Sequence, residues 1–292
     1  MSELLASLQG TKAVLDRFGI RARKRYGQNF LIDRGVVDGI LDAAEVTRTD
    51  NVLEIGPGIG TMTQLLSQRA GHVVSVEVDQ NLQKVLSETL KDCGNVTVLY
   101  QDILKTDLRA LTEEYNGGQA MKCIANLPYY ITTPILLQLL EDASCFCSIT
   151  VMVQQEVADR MLATKEDKAY GALSLAVQYR ARPRQVLAVA PSSFYPRPEV
   201  HSAVLVLDIL GEPSVTADEG FLFALIRAAF NQRRKTLANA LSHGFCHEGR
   251  SLSREEVQAA LRQMKLPEDI RGEKLSLEQY AELAGLLSKH DF

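Results

Sequence analysis

The 292-residue chain contains no tryptophan and only five cysteines: Cys93, Cys123, Cys145, Cys147 and Cys246. An odd number without framework spacing excludes a disulfide scaffold. Cys145 and Cys147 do not form a Cys-x-x-Cys pair, and with no second pair they make a poor zinc site, so no metal is expected. No apolar run approaches the roughly 20 residues that cross a membrane. Met1-Ser2-Glu3-Leu4 lacks the basic and apolar regions of a signal peptide. The expectation is a cytoplasmic protein with reduced thiols and no membrane partner. Excess positive charge is missing too. The formal net charge is −4, which argues against a surface that binds polyanions everywhere.

What is present is more informative. A hydrophobic content of 46% supports a sizeable core, and the length suits one large domain and one smaller one. The positive charge is local. Residues 1–30 hold Lys12, Arg17, Arg21, Arg23, Lys24 and Arg25 against Glu3 and Asp16. Residues 180–200 hold Arg180, Arg182, Arg184 and Arg197 against Glu199, and Arg233-Arg234-Lys235 is a third cluster. Any one of these is ordinary surface charge. Three beside motif-bearing loops fit a directional anionic partner.

Apolar periodicity predicts an alternation of strands and helices. Strands are expected at 51–55, 72–78, 96–101, 121–125 and 148–153, with helices at 61–69, 80–92, 107–115 and 134–141 between them. That order makes a parallel sheet covered on both faces. Strands at 184–189 and 201–207, joined by a Pro-rich loop, would add antiparallel strands at one edge. Gly211-Glu212-Pro213-Ser214 is the best boundary. Beyond it the pattern is helical only. The expected organisation is a domain over 1–210, including a basic helix and arm over 1–32, and a helical domain over 211–292.

Leu53-Glu54-Ile55-Gly56-Pro57-Gly58-Ile59-Gly60 runs from a strand through a glycine turn into a helix. Glycines let the backbone turn tightly against a ligand. Alone this is a weak signal, compatible with a dinucleotide or with a plain turn. The spacing differs from the dinucleotide Gly-x-Gly-x-x-Gly, and Pro57 removes an N–H that a pyrophosphate could use. A ligand without phosphate, such as S-adenosylmethionine, fits better. Glu77 ends the next strand about 20 residues on, where a carboxylate reaches ribose hydroxyls. Asp102 ends the third strand and suits an adenine amine or a helix cap equally. Asn126-Leu127-Pro128-Tyr129 follows the fourth strand. It places an amide and a phenol ring where open α/β sheets bind ligands. An amide pairs with a base edge and a ring stacks on its face. Thr132-Thr133-Pro134 reads as a helix start, with Thr as cap and Pro at the first helical position.

Taken together, these residues resemble the S-adenosylmethionine-dependent rRNA adenine N6-dimethyltransferases, most closely the bacterial small-subunit (16S) members. The motifs are Tyr26 to Leu31, Glu54 to Gly60, Glu77, Asp102, Asn126 to Tyr129, Phe194 to Ser202 and Phe230 to Leu237. The resemblance implies a Rossmann-like class I methyltransferase sheet with a small C-terminal helical domain that binds rRNA. It implies S-adenosylmethionine as cofactor, S-adenosylhomocysteine as product, and 16S rRNA in an immature small subunit as partner of a monomeric enzyme. Asn29, Leu31, Gly56 and Gly58 would hold the methionine end, Glu77 the ribose and Asp102 the adenine. Asn126 would bridge cofactor and target. Asn126 and the Leu127 carbonyl would accept the N6 hydrogens. Tyr129 and Phe194 would sandwich the flipped adenine. Phe194 also reads as a core aromatic. Tyr130 and Thr132 receive no role. The same residues suit a macrolide-resistance 23S rRNA methyltransferase or a factor that mainly binds an assembling subunit.

Overall fold

The computed structural model describes residues 5–20 and 28–288. The basic arm at 21–25, with Tyr26 and Gly27, lies outside the described residues. The chain forms two compact units, 1–158 with 182–209 and 159–181 with 210–292.

The described residues of the first unit form nine strands: β1 (Phe30–Leu31), β2 (Asn51–Ile55), β3 (His72–Glu77), β4 (Val96–Tyr100), β5 (Met121–Asn126), β6 (Phe146–Gln154), β7 (Ala181–Val189), β8 (Phe194–Tyr195) and β9 (Ser202–Ile209). Seven form one sheet in the order β4-β3-β2-β5-β6-β9-β7. The five from β4 to β6 are parallel, and β9 runs antiparallel to β6. Chain order reverses between β2 and β5. The C-terminal ends of β2, β3, β4 and β5 therefore open onto one crevice at the switch point. Residues of β2, β3 and β5 are almost wholly buried, as expected of strands covered on both faces.

The helices of this unit are α1 (Leu8–Phe18), α2 (Arg34–Ala43), α3 (Thr61–Arg69), α4 (Gln83–Thr89), α5 (Leu108–Asn116) and α6 (Thr132–Glu141). Local chemistry sets their ends. Ser7 caps α1, and Gly19, with φ +62°, stops it. Asp33 caps α2 by accepting from Gly35 and Val36, and Asp107 caps α5. The start of α6 departs from expectation. Thr132 is its first helical residue rather than its cap, and Pro134 is its third. The Thr132 hydroxyl instead donates to the Pro128 carbonyl at 2.9 Å. A proline there costs nothing, because the first four N–H groups of a helix have no intrahelical partner.

The 30–31 stretch forms a short strand. β1 and β8 pair antiparallel, Phe30 with Tyr195 and Leu31 with Phe194, and the Ile32 N–H extends the ladder to the Ser193 carbonyl. A two-residue ladder has no period to read.

After α7 (Gln155–Leu162), the second unit holds α8 (Ala172–Arg180), α9 (Glu219–Asn231), α10 (Leu237–Gly244), α11 (Arg254–Gln263) and α12 (Leu277–Ser288). Its core joins Tyr170, Leu175 and Tyr179 to Leu225, Leu241, Leu261 and Tyr280. The Tyr170 hydroxyl donates to the Leu275 carbonyl at 3.0 Å. Residues 159–181 therefore belong with the C-terminal helices, although a continuous block from 1 to 210 was expected. The reason is that α8 is buried nearly all round, so its apolar surface needs helices rather than the sheet edge.

Candidate active site at the sheet switch point

One cavity of about 350 Å³ opens at the C-terminal ends of the parallel strands, within the first unit. That volume suits a small cofactor. Asn29, Leu31, Gly56, Gly58, Glu77, Asp102, Asn126, Leu127 and Tyr129 all line it. They arrive from five different segments, so the fold brings together nine residues selected from sequence.

The glycine turn after β2 is built from left-handed residues. Gly56, Gly58 and Gly60 have φ of +71°, +61° and +91°, which other residues adopt at a cost. A Cβ on Gly60 would also meet Leu90 at 3.0 Å. Glu77 braces the turn. One of its oxygens accepts from the Gly58 N–H at 3.2 Å and the other from the Asp79 N–H at 2.8 Å. Burial pushes its carboxyl up to about 6, against the pull of those two N–H groups.

Asp102 uses Oδ1 to cap the short turn Ile103–Lys105, accepting from the Leu104 N–H at 3.0 Å. Capping and ligand contact are thus compatible, because a carboxylate has a second oxygen. The Asn126 Nδ2 donates to the Asn29 carbonyl at a long 3.5 Å. The Leu127 N–H donates to the Met152 carbonyl at 3.1 Å, which sets the plane of that peptide. The Tyr129 hydroxyl hydrogen-bonds Ser202 Oγ at 2.7 Å, and burial raises its phenol pKa.

Phe194 is the correction. It does not line the cavity. Its side chain is 2% exposed and packs in a core with Leu31, Val37, Val189 and Val204. Pairing of β8 with β1 explains this. Side chains alternate across a strand, so Phe194 enters that core while Tyr195 joins the separate cluster around Phe30. The two-sided stack expected around the target base is not assembled. Arg233 is also committed elsewhere. It faces Glu273 at 3.4 Å and donates to the Tyr170 carbonyl at 3.1 Å, leaving Arg234 and Lys235 exposed. Of the cluster in residues 180–200, Arg180 pairs with Glu219 and Arg184 with Asp208.

Sequence reasoning missed Glu54 as a site residue. It lies wholly buried on the cavity wall. Oε2 accepts from the Thr63 and Ser75 hydroxyls, each at 2.7 Å, while Oε1 has no hydrogen-bond partner among the described residues. Burial drives its carboxyl up to about 7; the two hydroxyls oppose the rise and Glu77 adds to it. In the unfolded chain the group titrates near 4.5, so between these values the folded state binds more protons. Glu54 therefore subtracts stability as pH climbs through this window, by roughly 3 kcal/mol once fully ionised. Glu54→Gln is expected to flatten the fall in unfolding free energy between pH 5 and 8, measured by urea denaturation. The smaller contribution from Glu77 remains. An unchanged slope refutes the assignment.

The wall carries three carboxylates, Glu54, Glu77 and Asp102, and no Lys, Arg or His among its described residues. Polyphosphates are disfavoured there. A cationic ligand with a ribose and an amine is favoured, and the residues fit S-adenosylmethionine. Together with the sheet order, this defines a class I S-adenosylmethionine-dependent methyltransferase with a Rossmann-like fold.

Comparison with known proteins narrows the class. A family model for ribosomal RNA adenine dimethylases matches residues 19–289. A protein named ribosomal RNA small subunit methyltransferase A, from Lachnoclostridium phytofermentans, is 50% identical over 281 residues, covering 96% of each chain. A crystal structure of a dimethyladenosine transferase from Plasmodium falciparum superposes with a TM-score of 0.72 at 25% identity, covering 89% of this chain and 97% of that one. The 23S rRNA methyltransferase ErmE gives a TM-score of 0.64 at 25% identity, covering 89% and 100%. The chain belongs to the ribosomal RNA adenine dimethylase family. It is an rRNA adenine methyltransferase.

Proposed function

We propose that this protein dimethylates N6 of two adjacent adenosines in the 3′-terminal hairpin loop of 16S rRNA, acting as a cytoplasmic monomer on an immature small subunit and so contributing to its biogenesis. The observation that carries the reading is the cavity itself, where an acid-lined pocket without cations meets the amide of Asn126. The small-subunit choice over a 23S substrate is supported by relatives. Those at 42–50% identity over nearly the whole chain carry the small-subunit name, whereas the 23S enzyme stands at 25%.

When bound, S-adenosylmethionine supplies a sulfonium methyl already activated toward nucleophiles. Glu77, pre-set by the Gly58 and Asp79 N–H groups, keeps lone pairs for two ribose hydroxyls. Asp102 Oδ2 accepts from the cofactor's adenine amine. Asn29 and Leu31 close over the methionine end beside Gly56 and Gly58. The Asn126 amide uses Nδ2 on Asn29 and keeps its oxygen for the target. In the first transfer that oxygen and the Leu127 carbonyl accept the two N6 hydrogens of adenine; in the second, one of them accepts the single hydrogen that remains. Holding both hydrogens draws the nitrogen lone pair out of conjugation with the ring, an effect strongest as the new bond forms. Tyr129, pinned by Ser202, covers one face of the base. No general base is needed, because the proton leaves for water after transfer. Exposed Arg234 and Lys235 on the helical unit suit rRNA phosphates, which position the substrate while base contacts select it.

The test supplies methyl-labelled cofactor to unmethylated small subunits, large subunits and naked rRNA in parallel, followed by nucleoside analysis. Dimethyladenosine confined to small-subunit material is expected. Label in the large subunit alone overturns the substrate assignment.

A further inference from the structure

Two aromatic residues follow β5, and the structure gives them different surroundings. Tyr129 is tied down through Ser202. Tyr130 lines the mouth of the same cavity and is 51% exposed. Among the described residues it is the one aromatic side chain among the large apolar groups left exposed. Its backbone is not loose. The Ile131 N–H closes the turn onto the Pro128 carbonyl at 3.2 Å, and the Thr132 hydroxyl donates to the same oxygen. The ring is thus presented on a preset turn, which lowers the entropy cost of using it.

Tyr130 belongs to the same turn as Asn126 and Leu127, whose polar groups are proposed to hold the target base, and it lines the cavity with them.

A base drawn into a pocket leaves its chain neighbour without a stacking partner. An exposed ring at the pocket mouth replaces that partner, and such stacking tolerates any base because each has a π-face. We propose that Tyr130 is a substrate-positioning residue whose ring stacks on the nucleotide next to the target adenine. The proposal rests on the reading of this site as an RNA adenine methyltransferase and adds a second base contact to it.

Steady-state kinetics on unmethylated small subunits, with cofactor binding by calorimetry, tests it in the wild type, Tyr130→Phe and Tyr130→Ala. Loss of the ring is expected to raise KM for the subunit on the order of tenfold, the size of one base–aromatic stack. The change in kcat and in the cofactor Kd should be smaller. Tyr130→Phe retains the stacking face and is expected to restore KM to within about twofold. An unchanged KM in Tyr130→Ala overturns the proposal, as does a loss seen in cofactor Kd instead. Equal damage in both variants also overturns it, because the hydroxyl would then be the contact. A wild-type enzyme that methylates no small subunit refutes the underlying reading and this proposal together. A wild-type enzyme that methylates them while Tyr130→Ala behaves identically refutes the stack alone.

Discussion

Asn126→Ala lowers the rate of methyl transfer by on the order of 10²–10³, the cost of removing one preorganised polar group from a developing transition-state charge. The loss falls mainly on kcat. Asn126 ends β5, and under the proposed function its oxygen accepts an amine hydrogen and so draws the nitrogen lone pair out of conjugation with the adenine ring. Its neighbours on the strand, Ile124 and Ala125, are buried and make the parallel ladder with β2. Truncating a side chain at the strand end leaves that ladder intact, so the unfolding transition is expected to stay close to the wild type. Glu77→Ala provides the contrast. Its loss removes a hydrogen-bonded carboxylate that is proposed to hold the ribose, so the damage is expected in cofactor Kd, by roughly tenfold or more. Single-turnover rates at saturating cofactor separate the two. Equal turnover in Asn126→Ala and wild type eliminates the amide's role, and an unchanged Kd in Glu77→Ala eliminates the ribose contact.

Phe194→Ala is expected to destabilise the first unit by about 3–5 kcal/mol, the usual cost of deleting a buried aromatic. The ring packs in one buried cluster with Leu31, Val37 and Val204. Its backbone also pairs with Leu31, so the cavity wall at Asn29–Leu31 loosens with it. Cofactor affinity therefore falls along with stability. Phe194→Leu restores most of the apolar volume and is expected to recover most of both. Denaturant midpoints of the two variants decide the matter. Full stability in Phe194→Ala, with methyl transfer lost, would return the ring to the base-stacking role that its sequence context suggests.

The contrast between Asn126 and Phe194 shows what the sequence can convey. The acids and the amide each end a strand, and in a parallel β/α alternation all such ends face one crevice. Reading the period of the apolar runs was therefore enough to bring Glu77, Asp102 and Asn126 together. Phe194 sits in a strand of two residues, where no alternation is visible and side-chain direction depends on a partner 163 residues away. Its Pro-rich flanks read as exposed loop, yet pairing with β1 buries it. Glu54 was hidden for another reason. Its place inside an apolar strand looks like core, and only the structure shows that one oxygen lacks a hydrogen-bond partner. The segment 159–181 groups with the C-terminal helices rather than with a continuous 1–210 block, because a sequence pattern does not say which neighbours a helix will pack against. Arg233 shows the same limit for charge. Its backbone-carbonyl partner lies far away in sequence, so the cluster looked uniformly available.

The β1–β8 ladder also sets an order of events during synthesis. Residues 29–31 leave the ribosome early, yet the strand that fixes them is made only when residues 194–195 are translated. At bacterial elongation speeds of about 5–20 residues per second, that interval is on the order of ten to thirty seconds. Until then the strand ends from β2 to β5 can form, but the cavity wall at Asn29–Leu31 has no strand to pair with. A nascent chain released or stalled before residue 195 carries every acid of the pocket and lacks the means to close it. An enzyme that methylates rRNA thus acquires a complete cavity wall only after two-thirds of its own translation is complete.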